Sequence, residues 1–182
     1  MRSLWKLAAA ACMIALHVSS VTGSVMLKVG DVAPPFSLPG SDGKIHDLAS
    51  YKGKQVVVLA WFTRAYSDAC TAECKSLRDS GDEIRVFDAA YFAVSVDLPD
   101  TNRAFGRSLG LDYPLLSDPF KKIAKAYGVV DEDQQFATRW TFYIGVDGRI
   151  LYVDKQVSPA TQGKTIAARL SELGIAQRRP IR

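Results

Sequence analysis

The chain has 182 residues, 48% of them hydrophobic and 23% charged, an ordinary globular composition with enough length for one domain and a proper core. Its net charge of +4 sits at the ends: Arg2 and Lys6 at the start and Arg178, Arg179 and Arg182 at the finish leave a body of net −1. That excludes a nucleic-acid surface, which needs a basic patch on the fold itself, and the RRPIR tail reads as a solvated end.

The first 24 residues, MRSLWKLAAAACMIALHVSSVTGS, have the layout of a secretory signal. A basic start precedes an apolar core from Leu7 to Val18, and small residues follow, with Val21-Thr22-Gly23 as the cleavage stretch. The apolar core is short for a transmembrane helix; an uncleaved anchor is the alternative. Ala9-Ala10-Ala11-Cys12 resembles a lipoprotein box, but apolar residues continue to Val18 and leave Cys12 mid-segment. Removal of residues 1–23 leaves a domain over 24–182 that keeps two of the three cysteines, Cys70 and Cys74. Export takes that pair to a compartment where disulfides persist.

Residues 36–38 and 45–48 flank Gly40-Ser41-Asp42-Gly43 and predict a hairpin, with His46 on its surface. Residues 55–62 form a continuous valine-rich apolar run, as expected of a strand buried on both faces. Residues 70–87 have helical spacing: Leu77, Ile84 and Phe87 share a face, and Gly81 weakens the middle. Residues 91–96 read as a second buried strand and 101–109 as a short helix stopped by Gly110. Asp97 and Asp100, either side of Pro99, read as caps for that helix. Leu115-Leu116 is a brief strand, and Pro119 opens a helix running to Tyr127. Residues 139–144 and 149–154 flank Gly145-Val146-Asp147-Gly148 as a second hairpin. The stretch 158–165, SPATQGKT, resembles a phosphate loop in its place after a strand. Ser158 stands where the first glycine belongs and Pro159 lacks a donor, so the stretch reads as the start of a terminal helix over 161–173. There is no internal repeat. Early alternation implies parallel pairing and the late hairpin adds antiparallel strands. The fold class is α/β: a mixed central sheet flanked by helices, with an N-terminal hairpin extension.

The chemistry centres on 61-WFTRAYSDACTAECKSLRDS-80. Cys70 falls where a strand has ended and a helix begins. A thiol in a first helical turn faces unpaired backbone N–H groups and the positive end of the dipole, and both favour the nucleophilic thiolate. Ser67 precedes it by three residues, and Arg64 is near in sequence. Cys74 follows one turn later on the same face. Ideal helix geometry sets such residues about 6 Å apart at Cα, near the upper end of the disulfide range, so a bridge needs some unwinding and suits a transient bond. A buried apolar pair is the bland alternative. Zinc needs about four ligands, and the chain offers only His17 and His46 besides. Trp61, Tyr66 and Trp140 read as packing around this site.

Five stretches taken together resemble the peroxiredoxins of the thioredoxin superfamily, specifically the bacterioferritin-comigratory-protein-like branch. They are 29-VGDVAPPFSL, the Cys70 segment, 94-VSVDLPD, 115-LLSDPFKKIAKAYGV and 139-RWTFYIGVDGRI. The family motif is a proline, three residues, a threonine or serine, two residues and the peroxidatic cysteine. Cys70 and Ser67 match it; Thr63 stands where the proline belongs, which bears on peroxidase efficiency rather than on the fold. The pocket arginine maps onto Arg139, and Glu73 matches an acidic position that orients an arginine. Cys74 takes the place of a resolving cysteine that the branch often carries one residue further on. The resemblance implies a thioredoxin-like fold and a thiol peroxidase without cofactor or metal. Its substrate is hydrogen peroxide or an organic hydroperoxide, and its reductant a thioredoxin-like dithiol. A resolving cysteine on the same chain permits a monomer or homodimer. Two other readings fit the pair: an exported thiol-disulfide oxidoreductase, which usually has two residues between its cysteines rather than three, and a Sco-type copper chaperone, which shares the Cys-x-x-x-Cys spacing but needs a histidine downstream where this chain has none after His46.

Overall fold

The structure, a computed structural model, describes residues 26–131 and 133–178; the signal, Cys12 and the last four residues of the tail lie outside them. In chain order, β1 (Ser37–Pro39) and β2 (Ile45–Asp47) form the first hairpin. There follow β3 (Val56–Trp61), α1 (Asp68–Asp79), α2 (Gly81–Arg85), β4 (Ala89–Ser95), α3 (Pro99–Ser108) and β5 (Leu115–Ser117). The chain ends with α4 (Lys122–Ala126), β6 (Thr141–Ile144), β7 (Ile150–Asp154) and α5 (Gln162–Glu172).

The central sheet runs β5-β4-β3-β6-β7. β3, β4 and β5 are parallel neighbours, while β6 runs antiparallel to β3 and β7 antiparallel to β6. Every residue of β3 is buried, because both faces of the sheet are covered. The two-residue period of the strand divides it between two cores. Val56, Val58 and Ala60 meet Cys70, Cys74 and Leu77 of α1, Ile84 of α2, and Ile166 and Leu170 of α5. Val57, Leu59 and Trp61 meet Ile123 and Ala124 of α4 together with Phe36 and Leu38 of the N-terminal hairpin. Burying each such side chain stabilises the fold by about 1.5–3 kcal/mol.

Several local expectations shift. The helix over 70–87 is two helices. α1 begins at Asp68, capped by Ser67, and breaks at Ser80 before Gly81, the residue with least helical propensity in the stretch. Leu77, Ile84 and Phe87 nevertheless share one core, as their spacing predicts. Pro119 does not open α4. The Asp118 carboxylate reaches past it and accepts from the Ala124 N–H at 2.7 Å, and Lys121 takes a left-handed φ of +56° before the helix starts at Lys122. His46 is half-buried rather than fully on the hairpin surface: its ring packs 4.9 Å from Phe92 and bonds Tyr51 and Asp42. Arg178 is exposed, as a solvated end implies, and its guanidinium donates to the Ala89 carbonyl at the start of β4.

One glycine fixes how α1 sits. Gly163, in the first turn of α5, lies so close to α1 that a Cβ there would stand 2.1 Å from the Ser76 carbonyl oxygen. The Gly163 N–H also donates to Ser76 Oγ at 3.0 Å. SPATQGKT is thus the start of the terminal helix, as its sequence suggests, and it serves to dock that helix on α1.

Candidate active site

The site lies at the C-terminal edge of the three parallel strands. Phe62 continues the β3–β4 ladder one residue further by donating to the Val94 carbonyl. The chain then turns through 63–67. The Ala65 N–H donates to Asp97 Oδ2 at 2.9 Å, which ties this turn to the end of β4. Tyr66 adopts a φ of +63°, a left-handed conformation uncommon for a tyrosine, and redirects the chain into α1. Asp97 therefore holds the turn before α1; the cap position of α3 is Leu98, and Asp100 pairs with Arg103 instead of capping.

Cys70 lies in the first turn of α1 with 0% exposure. Ser67 Oγ accepts the Cys70 backbone N–H at 3.4 Å and donates to the Arg64 carbonyl at 3.3 Å. Ser67 is thus the helix cap, and its hydroxyl and the Cys70 N–H are engaged with each other. Arg64 does not reach the sulfur: its guanidinium stands over the Phe136 ring at 5.5 Å. Thr63 is half-buried at the end of β3.

The cation at the sulfur is Arg139. It sits just before β6, in the strand neighbour of β3, and donates from Nη2 to Cys70 Sγ at 3.1 Å. Its Nε donates to Glu73 Oε2 at 2.7 Å, so the carboxylate orients the guanidinium across 66 residues of sequence. Glu73 is 1% exposed, and burial pushes its carboxyl up to about 7 against the pull of Arg139. Its Oε1 has no hydrogen-bond partner among the described residues.

Cys74 is also a free thiol with 0% exposure. Burial first, and then the neighbouring Glu73 charge, push its thiol far above the ordinary range against a smaller lowering pull from the Tyr113 hydroxyl, so it is protonated in this state. Its backbone carbonyl accepts from the Tyr113 hydroxyl at 3.0 Å. Tyr113 and the turn-holding role of Asp97 were beyond sequence reading, since each acts across more than thirty residues without a motif.

Of the aromatic residues expected around the site, Trp61 packs into the core on the far face of the sheet beside Tyr127, and Trp140 packs against that same core. The alternation of β3 sends Trp61 away from Cys70. Tyr66 does stand on the Cys70 side, with its ring 4.9 Å from Phe105. Among the described residues no three His, Cys, Asp or Glu side chains gather as a metal cluster.

The arrangement provides a sulfur at a helix start, in contact with an oriented cation, and a second thiol one turn away. It suits attack by sulfur on an electrophilic atom whose leaving group carries negative charge. A family model described as AhpC/TSA matches residues 29–153. The chain is 35% identical over 131 residues to alkyl hydroperoxide reductase E of Mycobacterium tuberculosis, covering 71% of this chain and 86% of the relative. It is 32% identical over 133 residues to peroxiredoxin Bcp of Escherichia coli K12, covering 70% and 85%. In structure it resembles peroxidoxin BcpB from Mycobacterium tuberculosis, with a TM-score of 0.72, 28% identity and coverage of 80% and 97%.

Proposed function

Because the chain belongs to the AhpC/TSA family and is a thiol peroxidase of the peroxiredoxin type, we propose that Cys70 is its peroxidatic cysteine and Cys74 its resolving cysteine. The observation that carries this is the 3.1 Å contact between Arg139 and Cys70 Sγ, with Glu73 behind the guanidinium. Cys70 thiolate attacks the nearer peroxide oxygen; the O–O bond breaks, and the departing alkoxide or hydroxide takes a proton. Cys70 becomes a sulfenic acid. Arg139 stabilises the negative charge that passes from sulfur to the leaving oxygen. Ser67 and the Cys70 N–H support the same oxygen once the 3.4 Å contact between them yields. Cys74 then forms a disulfide with Cys70, and a thioredoxin-like dithiol reduces it by exchange.

The substrate is hydrogen peroxide or an organic hydroperoxide. The first 23 residues read as a secretory signal, so the protein acts outside the cytoplasm, in the periplasm or secreted, and meets the membrane only in transit. A resolving cysteine on the same chain supports a monomer or a homodimer.

The test is mass spectrometry and stopped-flow kinetics on the reduced protein with one equivalent of hydrogen peroxide. The expected result is rapid loss of two hydrogens to a Cys70–Cys74 bond and a trapped sulfenic acid in Cys74→Ser. Full peroxide turnover in Cys70→Ser would overturn the assignment. Oxidation no faster than that of a free thiol would mean the site is not tuned for peroxide.

A further inference from the structure

On the peroxidase reading, the Cys70 sulfenic acid and the Cys74 thiol must meet, and the intact helix holds them apart. Side chains at i and i+4 have Cβ atoms about 5–6 Å apart, whereas a disulfide needs about 3.5–4.5 Å. α1 must therefore open between them. From Cys74 onward this helix is fastened sideways. Ser76 is bonded to Gly163 of α5, Leu77 is fully buried, and Arg78 donates to the Leu109 carbonyl. The attachment nearest the reaction is on Cys74 itself: the Tyr113 hydroxyl donates to its carbonyl oxygen at 3.0 Å. Tyr113 is 6% exposed, and its ring is held 5.1 Å from that of Tyr91. The peroxide step as derived makes no use of it.

We propose that Tyr113 is a latch on the resolving cysteine, a positioning residue whose hydroxyl holds the Cys74 carbonyl in the closed helix and thereby sets the rate of disulfide formation. In the resolving step the Cys74 sulfur attacks the Cys70 sulfenic sulfur. The S–S bond forms, the S–O bond breaks, and the thiol proton leaves with the hydroxyl as water. No outside oxidant is needed. In the closed helix Cys74 is a buried, protonated and poor nucleophile; opening supplies both the approach and the water that lets the proton leave. Each opening that frees the Cys74 carbonyl breaks the bond from Tyr113. The slower that release, the longer the sulfenic acid stands open to a second peroxide and to sulfinic acid.

The test compares the unsubstituted protein with Tyr113→Phe, which keeps the ring and its contact with Tyr91. The Cys74 carbonyl keeps its helical partner, so no buried acceptor is orphaned. The expected result has four parts. Oxidation of Cys70 by hydrogen peroxide keeps its rate. Disulfide formation becomes about two- to tenfold faster, the range for one neutral hydrogen bond. The sulfinic fraction at high peroxide falls accordingly. Alkylation of Cys74 in the reduced protein quickens by a similar factor. A tyrosine with only a structural role would lower Tm and leave the resolving rate alone; disulfide formation unchanged or slower in Tyr113→Phe overturns the latch. Failure of the underlying reading looks different: no sulfenic acid accumulates in Cys74→Ser, whatever Tyr113→Phe does.

Discussion

Cys70 and Cys74 sit one turn apart on α1, both with 0% exposure, and meet different neighbours. Cys70 lies in a turn held by a 3.4 Å serine cap and faces the Arg139 guanidinium. Cys74 lies where the helix is bolted to Tyr113 and, two residues on, to α5, with burial and a carboxylate raising its thiol. Burial alone does not decide what a cysteine can do. The charged partner supplied from beside β6 is what sets the surroundings of the first sulfur apart from those of the second.

Removing the cation erases that difference most completely. Arg139→Ala is expected to slow Cys70 oxidation by about 10²–10³-fold, the cost of one preorganised donor at developing charge. Arg139→Lys recovers only part, because a point charge cannot serve Glu73 and the sulfur in one plane. Stopped-flow oxidation by hydrogen peroxide measures both, and a loss under tenfold would mean Cys70 owes its reactivity to the helix start alone.

Glu73 stands between the two cysteines in sequence and backs the cation of one while raising the thiol of the other. Its folded carboxyl keeps its proton up to about 7, against 4.5 for the free group. Between those values the folded state binds more protons than the unfolded one, so this group makes stability fall as pH rises through the window, by about 3 kcal/mol in all. Glu73→Gln is expected to flatten that slope in denaturant titrations run from pH 4.5 to 7. An unchanged slope would show that the carboxyl is ionised throughout.

Gly163→Ala attacks the Cys74 side. The added methyl meets the Ser76 carbonyl, so α1 and α5 must part, at a cost of about 1–3 kcal/mol in thermal melts. The rate of Cys70 oxidation should not change. If it falls with Tm, the two halves of α1 are one mechanical unit and the contrast drawn above is wrong.

Thr63→Pro sharpens the Cys70 side by restoring the residue the family motif carries there. A proline narrows the conformations open to the turn, and the expected gain in peroxide rate is about two- to fivefold. No gain would mean that the tie from Ala65 to Asp97 already orders the turn.

What could be read from the chain was whatever is written locally. The valine run of β3, the hairpins around 40–43 and 145–148 and the apolar spacing of Leu77 and Ile84 follow from periods of two and 3.6 residues. Arg139 and Glu73 were found because a family motif marks them, since nothing local joins residues 66 apart. The side chain of Asp118 overrode the start signal of Pro119, and a long-range tie drew Asp97 away from capping; in both, a tertiary or side-chain bond outbid a local preference.

By itself, then, the sequence determined the elements, the helix start that carries Cys70 and the spacing of the second thiol, because these depend on neighbours along the chain. Tertiary structure decided which face each tryptophan takes and that Cys74 hangs from Tyr113. Those contacts join residues from different strands and helices, and only the packing of the sheet between its two cores brings them within bonding distance.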